Sequence, residues 1–404
     1  MVNYDFLSVY FYSVPNLRFP IFHFDWNENY FGNICTIRSG IGFKADEYVE
    51  QGVPLLKIDN VGYGNIKWNN ISYLPETYLK QYPFLKLNEN DIVLALNRPI
   101  TNNQLKISKL TSKDIPSILY QRVGKINVSS DYNLDYIYYL LTKNVFDFVL
   151  KTSIGSDQPF ISTENLKKLI MKVPTITEQQ KIGHFLSLID QRIQTQIKII
   201  DDCISYRNAI VDYYFESLSG NWKKVKLSNI LKEYSELHIK DDSIVHATLS
   251  KEGIFPKTDR YDRDFLVKDE DKKYKVTHLN DICYNPANLK FGVITRNTFG
   301  DCIISPIYIT FKIKSGFIPK FVELLVTRKQ FISKARKYEQ GTVYERMSVN
   351  SSDLLSMYVL IPSFSIQQKI VNIINNIDSK IFNEQKLLNL YKLQKVYLLK
   401  NMFI

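Results

Sequence analysis

The sequence predicts an α+β protein in which two mixed α/β globular units are joined and separated by two long helices packed as an antiparallel coiled coil. Three observations carry that expectation. A twenty-residue motif occurs twice, 188 positions apart. Each copy opens a long stretch of apolar residues spaced alternately by three and four. The intervals ahead of the two copies mix short apolar runs (93–96, 303–313) with apolar helical stretches (134–150, 317–337).

A length of 404 residues corresponds to two or three domains and leaves room for cores that need neither disulfides nor metal. Hydrophobic residues at 45% and charged residues at 23% exclude a largely disordered chain. The 52 Lys and Arg outnumber the 41 Asp and Glu, and the net charge of +11 favours an acidic partner such as a nucleic acid. Tyr and Phe, at 27 and 24, supply both core and stacking surface. Cys35, Cys203, Cys283 and Cys302 are too scattered for zinc spacing and are expected as reduced, buried thiols of a cytoplasmic protein. No apolar run approaches the roughly 18 residues that span a bilayer. Residues 1–13 lack a basic n-region and a small-residue cleavage site, so they are not a signal peptide but could be a dispensable extension.

From Pro174 the chain reads PTITEQQKIGHFLSLIDQRI, and from Pro362 it reads PSFSIQQKIVNIINNIDSKI. Eight of the twenty positions are identical (Pro174, Gln179, Gln180, Lys181, Ile182, Ile189, Asp190 and Ile193 of the first copy), where chance gives about one or two. Fainter matches lie upstream. Trp26 and Trp222 each stand seven residues before an Asn-Ile pair, and Gly155 and Gly341 precede the last apolar run of each half. Asp91-Ile92-Val93-Leu94 and Asp281-Ile282-Cys283-Tyr284 read as equivalent strands. The organisation is therefore an extension 1–13, a globular unit 14–175, a central helix 176–216, a second globular unit 217–363 and a C-terminal helix 364–404.

Pro174 and Pro362 stop the preceding strands. Thr177 with Gln180, like Ser365 with Gln368, then has the spacing of a capping box. The first seam runs through Ile182, Leu186, Ile189, Ile193, Ile197, Ile200, Ile204 and Val211. The second runs through Ile370, Ile374, Ile377, Ile381, Leu388, Tyr391 and Leu398. About 40 residues at 1.5 Å each make a helix about 60 Å long, which exceeds the roughly 30–40 Å of a 150-residue globule. Such helices must pack to be stable, so they are expected to pair. Gln180 and Gln368 are grouped with the seam residues from Ile182 to Ile197 and from Ile370 to Ile381 as the helix-pair and subunit interface.

The duplicated motif resembles the specificity subunit of type I restriction–modification systems. So do the segment VPNLRFP…FDW (14–26), GSDQPFISTENLKKL before the first helix and SPIYITFKI in the second unit, and the resemblance covers nearly the whole chain. The second copy departs at Ile366, where the first has Glu178, a change confined to the first turn. The resemblance implies that each globular unit is a target recognition domain reading one half of a bipartite, asymmetric double-stranded DNA site. It implies that the helix pair sets the spacer and docks two methyltransferase subunits, which carry S-adenosylmethionine and methylate adenine at N6. Motor-nuclease subunits that use ATP and Mg would add restriction. The chain itself would bind no cofactor or metal and do no chemistry.

The residues agree with a chain that lacks catalytic apparatus. Tyr284-Asn285-Pro286-Ala287-Asn288 lacks the second proline of an amino-methyltransferase loop, no Gly-rich cofactor turn lies upstream, and the segment reads as a turn. No phosphate-cradling G-x-x-x-x-G-K-[ST] occurs. Asp264 with Glu270-Asp271-Lys272 imitates a nuclease cluster but reads as a solvated charged turn with no flanking apolar strand. The five histidines lack ligand spacing, and His184 reads as a partly buried packing residue.

Candidates for DNA contact are Arg98, Gln104, Lys106, Arg122 and Lys125 in the first unit, beside Tyr63, Trp68 and Tyr120. In the second they are Lys257, Arg260, Lys290, Arg296, Tyr344 and Arg346. Arg and Gln reach base edges bidentately, Lys neutralises phosphate, and these residues stand in turn-rich stretches. Ordinary surface solubility is the competing reading for any one of them. Two other functions stay open on the residues alone: a stand-alone DNA-modifying enzyme, and a coiled-coil interaction scaffold not specific for DNA.

Overall fold

The computed structural model describes residues 14–152, 159–239, 243–257, 273–340 and 347–404. They form two compact units, one of the residues up to Ile197 together with Lys386–Ile404, the other of Lys198–Gln385. Each unit thus draws on both long helices, which span Ile176–Asp212 and Phe364–Asn401.

The first unit contains strands β1 (Asn27–Tyr30), β2 (Cys35–Ser39), β3 (Val53–Leu56), β4 (Tyr73–Leu74), β5 (Lys86–Leu87), β6 (Ile92–Ala95), β7 (Ile100–Thr101), β8 (Gln104–Leu105), β9 (Ile107–Lys109), β10 (Ser117–Leu119), β11 (Val123–Val128) and β12 (Ile170–Val173). One sheet has the antiparallel order β2-β11-β6-β9, and a second has the order β4-β3-β10-β5 with β3 and β10 parallel. Every residue of β6 is buried, and the two-residue period of a strand divides them between two cores. Ile92 and Leu94 join the cluster under the helix Leu134–Thr152, while Val93 and Ala95 face the β3 and β10 side chains.

The second unit contains β13 (Lys223–Lys226), β14 (Leu231–Tyr234), β15 (Leu237–Ile239), β16 (Val245–Leu249), β17 (Ile254–Pro256), β18 (Lys273–Thr277), β19 (Ile282–Tyr284), β20 (Ile294–Arg296), β21 (Cys302–Ile304), β22 (Ile309–Ile313) and β23 (Tyr358–Ile361). Its sheets run β14-β22-β19-β20 and β15-β18-β21-β16-β17, with β16 and β21 parallel. Strand for strand this repeats the two four-stranded sheets of the first unit, with β15 added at one edge and no counterpart of the β7–β8 pair among the described residues. Antiparallel ribbons close both copies, β1 with β12 and β13 with β23. The central strand β19 again feeds two cores, Ile282 and Tyr284 on one side and Cys283 on the other.

The turn before each central strand is also repeated. Asn90 and Asn280 have φ of 69° and 75°, a left-handed conformation that Asn tolerates better than most residues. Asp91 Oδ2 accepts the Asn88 N–H at 2.7 Å, and Asp281 Oδ2 accepts the His278 N–H at 2.7 Å. The duplication therefore reaches the backbone conformation of single residues.

Several expectations are corrected. The long helices begin at Ile176 and Phe364, and the carbonyls of Thr175 and Ser363 take the first helical bonds, from Gln179 and Gln367. Thr177 and Ser365 therefore lie inside the first turn and form no capping box with Gln180 and Gln368. Ile204 is 38% exposed rather than on a seam, as expected when a 3.6-residue helix drifts against a 3.5-residue repeat. His184 is exposed. Cys203 is only half-buried, whereas Cys35, Cys283 and Cys302 are buried, and all four are free thiols. The charged run 268–275 is flanked by strand β18, in which Tyr274 and Val276 are buried; Asp264 and Glu270-Asp271-Lys272 lie outside the described residues.

Candidate nucleic-acid interface

The first glutamine of each QQ pair is a duplicated latch. Gln179 Nε2 donates to the Pro174 carbonyl at 2.9 Å, and its Oε1 accepts the Asn133 N–H at 3.0 Å, just before the helix Leu134–Thr152. Gln367 Nε2 donates to the Pro362 carbonyl at 3.2 Å, and its Oε1 accepts the Ile318 N–H at 3.1 Å, just before the helix Pro319–Thr327. One buried carboxamide thus satisfies the end of a strand and the orphan start of a helix in each copy. Gln180 and Gln368, the residues grouped with the interface, are exposed. Gly183 lets the first helix approach closely, because a Cβ there would lie 2.6 Å from Asn133 Oδ1 and 2.7 Å from the Tyr136 nitrogen. The first copy adds a buried ion pair in which the Arg18 guanidinium grips both oxygens of Glu178 at 2.8 Å, a bond that raises the Arg18 pKa.

The duplicated aspartates hold the helix pairs. In the first unit Asp190 accepts from Tyr139 Oη at 2.8 Å and pairs with Lys395 at 2.6 Å, while Arg192 stands over the Tyr391 ring. The second helix retreats as the first advances, so this pairing is antiparallel. Ile182, Leu186, Ile189 and Ile193 share its cluster with Leu398, Met402 and Phe403, with Ile197, Leu388 and Tyr391 at the margin. In the second unit Asp378 pairs with Arg207 at 2.5 Å and with Lys320 at 3.2 Å. There Ile370 and Ile374 pack with Val211 and Phe215, Ile377 lies at the margin, and Ile381 is half-buried. Asp190 and Asp378 are 188 positions apart, and so are Arg207 and Lys395. The same pair of positions therefore makes the helix-to-helix ion pair in each unit.

The DNA-contact candidates separate by what their side chains touch. Lys106 Nζ donates to the Ile58 carbonyl at 2.7 Å, and burial holds its pKa down. Lys125 pairs with Asp91 at 2.5 Å, and Arg296 bonds Glu323 at 2.9 Å and Asn280 Oδ1 at 2.7 Å. Lys125 and Arg296 support the turns ahead of the central strands, and Lys106 ties the connection after β6 to the turn at Ile58. Arg98, Gln104 and Arg122 are exposed; the Arg98 N–H bonds the Pro159 carbonyl at 2.9 Å, and the Arg122 carbonyl accepts the Leu96 N–H at 2.9 Å. Lys290 is exposed with its ammonium 5.1 Å from the Phe291 ring centre. Lys257 is half-buried beside β17, its N–H on the His246 carbonyl at 2.9 Å. Arg260, Tyr344 and Arg346 lie outside the described residues. Sequence reasoning passed over Asn102, although the Asn102-Asn103 pair between short strands signals a tight hairpin.

Residues 25–201 match the profile described as the Type I restriction modification DNA specificity domain. The type I restriction enzyme MjaVIII specificity subunit of Methanocaldococcus jannaschii is 43% identical over 176 residues, which are 43% of this chain and 41% of that protein. The EcoAI specificity subunit of Escherichia coli is 29% identical over 175 residues, 43% of this chain and 29% of that protein. The chain therefore spans less than half the length of these two relatives. The crystal structure of the type I restriction–modification S subunit from M. genitalium covers 97% of this chain and 99% of its own, with a TM-score of 0.53 at 15% identity. A chain from a structural study of type I R-M complex assembly and conformational transition covers 93% of this chain and 97% of its own, with a TM-score of 0.55 at 10% identity. Residues 25–201 thus belong to the type I restriction–modification DNA specificity domain family, and the chain as a whole has the fold of the specificity subunits it resembles.

Proposed function

We propose that this chain is the DNA-reading specificity subunit of a type I restriction–modification complex. Residues 14–175 and 217–363 each read one half of a bipartite, asymmetric site, and the spacer helices 176–216 and 364–404 fix the unread interval between the halves. The helices also dock two methyltransferase subunits, which hold S-adenosylmethionine and methylate adenine, and motor-nuclease subunits supply ATP- and Mg-dependent restriction in the cytoplasm. The chain itself is non-catalytic. Arg98, Gln104, Arg122, Lys257 and Lys290 contact DNA, while Lys106 braces the base of the β7–β8 hairpin and Lys125 and Arg296 hold the turns at the opposite ends of the central strands.

One observation carries this reading. Two scaffolds with the same strand order differ in the connection that leaves the central strand. Residues 96–106 form the β7–β8 hairpin, whereas residues 285–293 form a 3-10 turn over Pro286–Phe291 with Lys290 and Phe291 exposed. A shared frame with unlike tips suits a site whose halves differ, because base-edge contacts specify sequence while the frame positions them. The test is a map of adenine methylation in host DNA with and without this chain. A split motif should vanish on deletion, and an unchanged map would refute the function.

A further inference from the structure

Thr101, Asn102, Asn103 and Gln104, at the tip of the β7–β8 hairpin, are all exposed. Asn102 and Asn103 have φ of 50° and 56°, so both central residues are left-handed, as a type I′ hairpin turn requires. Thr101 and Gln104 face each other across the turn, which puts their side chains on one face of the ribbon.

The tip is braced from the side. The Tyr63 hydroxyl lies 2.7 Å from Thr101 Oγ1, and Asn102 Nδ2 donates to that hydroxyl at 3.3 Å. The Tyr63 loop is in turn tied to β9, by the Gly64 N–H on the Ile107 carbonyl at 2.8 Å and Ser108 Oγ on the Asn65 carbonyl at 2.9 Å. Lys67 Nζ stands 5.3 Å from the Tyr63 ring centre. No Asp or Glu occurs in residues 60–75 or 92–113; the exposed Asp59, at the start of the Tyr63 loop, is offset by the neighbouring Lys106. The result is an uncharged, amide-rich tip, held still, with cations around it. Holding polar side chains in place lowers the ordering cost of binding.

We propose that this hairpin enters the major groove and that Asn102 and Gln104 read base edges in one half-site, at least one of them at an A·T pair. Lys67, Arg98 and Arg122 sit on the flanking phosphates. The major groove admits a two-stranded ribbon, and Asn and Gln match the N6 and N7 edge of adenine. This assignment rests on the DNA-reading function above and names the side chains that perform it in the first unit.

The test maps adenine methylation in host cells carrying the natural chain, no chain, or the chain with Asn102→Gly or Gln104→Ala, each in its intact complex. Glycine adopts a φ of 50° without strain, so Asn102→Gly keeps the turn while removing the amide, and an unchanged melting temperature checks this. The expected result is a roughly ten- to hundred-fold loss of discrimination at one base pair of one half-site, with the other half-site unaltered. A motif unchanged at every position overturns the assignment. So does an even loss of methylation at all sites with unchanged melting, because affinity lost without relaxed choice marks a phosphate or partner contact. Failure of the function itself would look different, since deletion of the chain would then remove no motif.

Discussion

Replacing the latch glutamines isolates what the duplicated motif contributes. Gln179→Ala strands the buried Pro174 carbonyl and the part-buried Asn133 N–H, and Gln367→Ala does the same to Pro362 and Ile318. A buried group left unpaired costs about 1–3 kcal/mol, and a part-buried one less, so each variant should lose about 2–4 kcal/mol. At about 2–4 °C per kcal/mol for a unit of this size, the transition should fall by about 5–15 °C. Trp222, buried in the second unit, and Trp26, buried in the first, report the two transitions separately in single-tryptophan backgrounds. Gln179→Ala should lower the Trp26 transition and Gln367→Ala the Trp222 transition by similar amounts. The exposed neighbours are the controls, and Gln180→Ala and Gln368→Ala should stay within about 0.5 kcal/mol of the natural chain. Equal losses at both glutamines of a pair, or a latch variant that melts unchanged, would refute the assignment.

Three further outcomes follow from the geometry. Gly183→Val, which installs the residue that the second copy carries at Val371, should destabilise the first unit by about 1–3 kcal/mol, because the new Cβ meets Asn133 and the Tyr136 backbone; thermal melting measures this. Asp190→Lys should destabilise the first unit and Lys395→Asp should partly rescue it, with a coupling of about 0.5–1 kcal/mol for this part-buried pair in a double-mutant cycle. His278 lies between Glu236 at 3.1 Å and Asp301 at 3.0 Å, and the bond to Glu236 raises its pKa above the ordinary value. A raised folded pKa gives stability that is complete below the unfolded pKa and lost as pH climbs through the folded one. The melting difference between the natural chain and His278→Asn should therefore be larger at about pH 5.5 than at about pH 8.5.

The helix pairs were legible because a seam of Ile and Leu at alternating spacing survives any one-residue uncertainty in where a helix begins. The glutamines were not, since that uncertainty decides which member of the pair turns inward, and the helix start at Ile176 turns in Gln179. Lys106, Lys125 and Arg296 read as surface cations because their partners (the Ile58 carbonyl, Asp91 and Glu323) are remote in sequence. The Asp91 and Asp281 turns were visible as equivalent strand starts. The common strand order around them was not, because pairing depends on β11 and β22, whose sequences have diverged. Asn102 escaped notice because its importance lies in the bond to Tyr63, from a separate loop.

Exchanging residues 217–363 for the corresponding segment of a relative with a different target, then mapping adenine methylation in the host, tests most directly whether the two halves read separately. One half of the motif should change to the donor's sequence while the other half and the interval between them stay the same. A chimera that folds and methylates but alters both halves, or neither, would contradict the account.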